Sequence, residues 1–65
     1  MTYEPTTNEY QEIIQLWHIA RTALAGQSCS RYDRLQYVSR EFRKVHPDTR
    51  PVPFWLYLSD TFRGY

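Results

Sequence analysis

Two groups of side chains in this chain are of types that do chemistry. The first is a thiol set, Cys29 with His18, His46 and Asp48. A thiolate activated by an imidazole, itself oriented by a carboxylate, is suited to acyl transfer. Such a site needs its groups within hydrogen-bond reach, and nothing in the spacing of these four brings them together. Cys29 falls near the start of an expected helix, where the dipole lowers a thiol pKa. The simpler reading is a small turn residue that tolerates a thiol. Metal binding has less to work with: two His and one Cys, with no i,i+4 pair and no CxxC, make no ligand set. A glycine-rich phosphate loop is absent, because Gly26 and Gly64 both read as helix stops. A chain of 65 residues also has little interior from which to exclude water. The expectation is a protein that is not an enzyme, with no metal and no cofactor. His18 falls on the polar side of its helix and reads as solvated. His46 precedes Pro47 at a helix end, where its ring would help satisfy the last carbonyls.

The second group lies in "RLQYVSREFRKVH", residues 34–46. At about 100° per residue, Leu35, Val38, Phe42 and Val45 form one apolar stripe. Asp33, Gln36, Tyr37, Arg40, Arg43 and Lys44 fall opposite it. Arg40 and Lys44 are like-charged i,i+4 neighbours, which costs a few tenths of a kcal/mol or so. A purely solvated face would interleave its signs, and this one gathers Gln36, Tyr37, Arg40, Arg43 and Lys44. Arg and Tyr are enriched where proteins meet proteins. The same types, with Arg31 and Arg34 added, would also suit a nucleic acid, Arg and Lys on phosphates and Gln on a base edge. A solvated helix face with no partner is the plain alternative to both.

Three helices are expected to position these residues, approximately 7–25, 31–45 and 53–63. In the first, Thr6 caps and Glu9 reaches back three residues later, a capping box. Pro5 would pack on Tyr10 as a staple. Tyr10, Ile13, Ile14, Trp17, Ala20 and Leu24 recur at helical spacing, and Gly26 ends the run. "GQSCS" is the turn, with Ser30 capping the second helix and Asp33 in the box position. Pro47 disfavours helical geometry at His46 and so closes that helix. Pro53 opens the third, whose inner face carries Phe54, Trp55, Leu58 and Phe62, and Gly64 closes it. A strand through "FWLYL" is the rival reading, and no second strand-like run exists to pair with it. The first two helices and their Gly-containing turn follow the order of a helix-turn-helix. That likeness is weak: Gln27 stands where an apolar anchor belongs, and the second helix is long for a recognition helix.

The fold expected is all-α, one compact three-helix bundle over residues 1–65, with Trp17, Phe42, Trp55 and Phe62 central. Six Tyr, three Phe and two Trp supply the bulk for a core whose stability, at this length, is about 3–5 kcal/mol. A lone cysteine cannot staple it, which favours a cytoplasmic setting. No signal-peptide pattern and no run long enough to cross a bilayer is seen, so no membrane is expected. Net charge is +1, but the front of the chain is acidic (Glu4, Glu9 and Glu12 against Arg21) and the rest basic. A further apolar strip on helix one, Leu16, Ile19 and Ala23, lies about 120° from the inner one and would contact another chain, a copy of this one included. Leu56 and Tyr57 are expected to stay partly exposed on helix three. The function expected is a small intracellular protein-binding module, an adaptor, small subunit or stoichiometric regulator or inhibitor, docking through helix two. Nucleic-acid binding is the alternative.

Overall fold

The computed structural model describes residues 3–25 and 30–64. Gly26, Gln27 and Cys29, with the helix stop, anchor and thiol readings attached to them, lie outside the described residues. Three helices follow in order, α1 (Thr7–Ala23), α2 (Arg31–Val45) and α3 (Pro51–Thr61), packed as an all-α bundle.

Each helix begins where its sequence can satisfy orphan backbone donors or, with proline, remove them. At α1 the Glu9 N–H donates to Thr6 Oγ1 (3.2 Å) and the Thr6 N–H to Glu9 Oε1 (3.0 Å), closing the capping box. A cap of this kind is worth about 1 kcal/mol. At α2 the Asp33 N–H donates to Ser30 Oγ (3.2 Å), and the Ser30 hydroxyl donates to Asp33 Oδ2 (3.0 Å). The return bond thus comes from the hydroxyl rather than from the backbone. α3 starts at Pro51, not at the expected Pro53. N–H groups in a first turn have no intrahelical partner, so two prolines cost nothing there, and the first helical bond runs from the Phe54 N–H to Arg50 O (3.2 Å).

The ends follow the same logic. His46 leaves the helical region (φ −123°, ψ 74°) ahead of Pro47. α1 stops at Ala23 rather than 25, finishing in bonds from Leu24 to Ala20 O and Ala25 to Thr22 O. α3 stops at Thr61, and Gly64 takes the left-handed φ of 99° past its end.

α2 is the central helix. Glu12, early in α1, meets His46 at the end of α2, so these two run antiparallel. Phe42 on α2 stacks on Phe54 at the start of α3, while Arg31 reaches the end of α3, so that pair is antiparallel too. The buried centre is Ile13, Trp17, Ala20, Leu35, Val38, Phe42, Phe54, Leu58 and Phe62. Trp17 and Phe62 stack across it at 4.1 Å, joining α1 to α3 through side chains.

Three core expectations are corrected. Tyr10 is 43% exposed, because the stripe of α1 turns inward only from Ile13. Val45 is 70% exposed. The cover over Phe42 at that end comes instead from the His46 ring, stacked at 4.3 Å. Phe54, not Trp55, takes the central place on α3, and Trp55 is half-buried at the edge. One core element was not anticipated. Tyr3 lies edge-on to Phe54 (4.9 Å), Tyr57 (5.3 Å) and Phe42 (6.3 Å), roofing the junction of α2 and α3.

Candidate functional site

The basic residues of α2 divide into two sets. In the first turns, exposed Arg31 and half-buried Arg34 both hydrogen-bond to the backbone of other helices. Arg31 Nε donates to Phe62 O (3.1 Å) and its guanidinium also donates to Ser59 O, so it closes the carbonyl end of α3. The Arg34 guanidinium sits 3.9 Å over the Trp17 ring and donates to Trp17 O (2.8 Å). A planar cation on an indole face is a packing element as much as a charge. Both guanidiniums are thus already engaged with backbone carbonyls of the bundle.

Further along, Arg40, Arg43 and Lys44 are exposed. Lys44 Nζ and Arg40 Nε both reach Glu41 Oε2, at 3.0 and 3.4 Å. Glu41 thereby offsets the like-charge pair. The Lys44 hydrogen bond, with help from Arg40, holds its carboxyl below the usual glutamate range. Arg40 also lies 5.7 Å from the half-buried Tyr37 ring. Arg43 makes no ion pair among the described residues.

α3 gives this face a second wall. Gln36, Ser39, Arg40, Arg43 and Lys44 line one side of an open groove of about 710 Å³. Pro51, Val52, Trp55 and Leu56 line the other. Val52 is 69% exposed and Leu56 63%, one turn apart on α3. Toward the start of α2, Tyr32 packs edge-on to Trp55 (5.4 Å) and accepts a hydrogen bond from Gln36 Nε2 (3.1 Å), so both walls are pinned by a shared contact. Of the five residues singled out in α2, Gln36, Arg40, Arg43 and Lys44 border this groove and Tyr37 lies outside it under Arg40. Of the apolar wall only the exposure of Leu56 was legible in the sequence, because the wall as a whole depends on how α3 docks. The Val52–Leu56 spacing was a further visible signal.

The helix-one strip is interrupted. Leu16 packs against the core, and Ala23 and Ile19 (49%) are exposed. His18 is exposed. The His46 ring, expected over the last carbonyls of α2, instead approaches Glu12 Oε2 through Nε2 at 2.8 Å. Among the described residues there is no cluster of three or more His, Cys, Asp or Glu able to hold a metal, and no helix is long and apolar enough to cross a membrane.

No protein-family model, no curated protein and no solved structure matches this chain.

Proposed function

We propose that this chain is a non-catalytic protein-docking module whose contact surface is the groove between α2 and α3. It would serve as an adaptor, a small subunit or a stoichiometric regulator. The observation that carries this reading is one groove with a cationic wall and an exposed apolar wall, Arg40, Arg43 and Lys44 facing Val52, Trp55 and Leu56. Exposed apolar side chains rimmed by polar ones mark protein contact sites. Arg and aromatic residues are the types that supply binding energy there. A phosphate backbone would gain nothing from Val52 and Leu56. With Arg31 and Arg34 engaged in the fold and Arg40 and Lys44 sharing Glu41, the cationic set is small for a nucleic-acid face.

The test is affinity capture from the source cells, with nuclease, using the wild type and the double variant Arg40→Glu, Lys44→Glu. Both positions are exposed, so the fold should persist, checked by circular dichroism. The expected result is a protein retained by the wild type and lost by the variant. Capture unchanged by the variant overturns the proposed surface. Loss of all capture on nuclease treatment turns the assignment to nucleic acid.

A further inference from the structure

The groove is two-sided, and its two chemistries narrow what can fill it. Resting on the docking reading above, we infer that its occupant is an amphipathic acidic helix of a protein partner, with its apolar ridge against Val52, Trp55 and Leu56 and a carboxylate on Arg43. A wholly apolar segment would take water from Arg43 without giving it a counter-charge, which is costly for a buried cation. A wholly anionic segment would leave Val52 and Leu56 facing carboxylates. A segment with both faces meets both walls.

Helical form follows from the walls themselves. Both are side chains of helices, with no sheet edge offering a row of free backbone donors, so an extended segment would have its own amides unsatisfied at the contact. A helix satisfies them internally. Its ridges also match the spacing: Val52 and Leu56 are one turn apart, as are Arg40 and Lys44, about 5.4 Å along an axis. Arg43 is the anchor because Arg40 and Lys44 are already drawn to Glu41 while Arg43 has no ion pair among the described residues. Its guanidinium can take a carboxylate through two parallel hydrogen bonds.

The experiment uses three fluorescently labelled helical peptides with one leucine ridge, flanked by Glu, by Gln or by Lys. Fluorescence anisotropy measures each against the full chain. The Glu peptide is expected to bind at least about tenfold more tightly than the Gln peptide, a difference of about 1.4 kcal/mol. Arg43→Glu should reverse the order, favouring the Lys peptide, and Leu56→Ser should weaken both. Equal binding of the Glu and Gln peptides, or a preference unmoved by Arg43→Glu, overturns the inference. Saturation of the groove by a second copy, seen as a dimer by light scattering that Leu56→Ser dissolves, also overturns it. If a captured protein is still lost in Arg40→Glu, Lys44→Glu while the Glu peptide fails, the docking reading stands and the acidic-helix assignment falls. If capture is unaffected as well, both fall.

Discussion

The two halves of α2 carry the same residue types to opposite ends. Arg31 and Arg34 sit where another helix terminus and an indole face are within reach, and they become part of the bundle. Arg40, Arg43 and Lys44 sit beyond those partners and remain on the surface beside an apolar wall. What separates the halves is the material around them. An arginine is structural when a carbonyl end or a buried aromatic plane lies opposite, and available when only solvent or surface side chains do. Three experiments break or sharpen this division.

The largest effect belongs to the residue on which both halves depend. Phe42 packs against Phe54, Tyr3 and His46 and is buried. Phe42→Ala should cost about 3–5 kcal/mol. That equals the whole stability expected of a core this small, about 3–5 kcal/mol, so the variant should be largely unfolded at room temperature. Thermal melting followed by circular dichroism reads this directly. A cooperative melt near that of the wild type would mean that α2 is held by something other than the aromatic stack.

Next comes the division itself. Arg34→Ala removes a cation stacked on Trp17 and a hydrogen bond to its carbonyl, and should cost about 1–2 kcal/mol in urea denaturation. Arg43→Ala should change stability by less than about 0.5 kcal/mol. Equal losses would erase the distinction. Arg34→Lys sharpens it, because a lysine keeps the charge but not the planar stack and should recover only part of the loss.

What could be read from the sequence follows the range of the interaction. The capping box of Thr6 and Glu9, the Ser30 cap and the stop before Pro47 are contacts within one turn, and residue types name them. The inner stripes of α1 and α2 were legible through Ile13, Trp17, Leu35, Val38 and Phe42 because periodicity is local. Tyr10 and Val45 failed because periodicity does not say how far a partner extends along the stripe. Trp55 and Phe54 are adjacent, so a small rotation of α3 exchanges which of them is central. Tyr3, His46 with Glu12, and the engagement of Arg31 and Arg34 depend on residues distant in the chain, and no spacing reports them. The cationic side of the groove was visible as a cluster, whereas the apolar side became a wall only through the docking of α3.

The smallest predicted effect extends the comparison from cations to carboxylates. Glu9 and Glu41 are both held below the usual glutamate range. For Glu9 the main cause is the hydrogen bond from the Thr6 backbone, with smaller help from the Tyr3 hydroxyl and a partial opposing effect of burial. Glu41 is half-buried but bonded to two flexible, exposed side chains, so its lowered pKa stabilises little. In both cases the unfolded carboxyl binds its proton more readily than the folded one. The associated stability is therefore complete above the ordinary glutamate value of about 4.3 and is lost as pH falls through and below it. Urea midpoints measured from pH 6 down to pH 3 should fall for the wild type. Glu9→Gln keeps the geometry of a capping box without a titrating group, so its curve should fall less steeply over that window. Glu41→Gln should track the wild type closely. If instead Glu41→Gln flattened the acid limb and Glu9→Gln did not, the surface trio of Arg40, Glu41 and Lys44 would be a structural element, and the outward half of α2 could no longer be separated from the bundle it rests on.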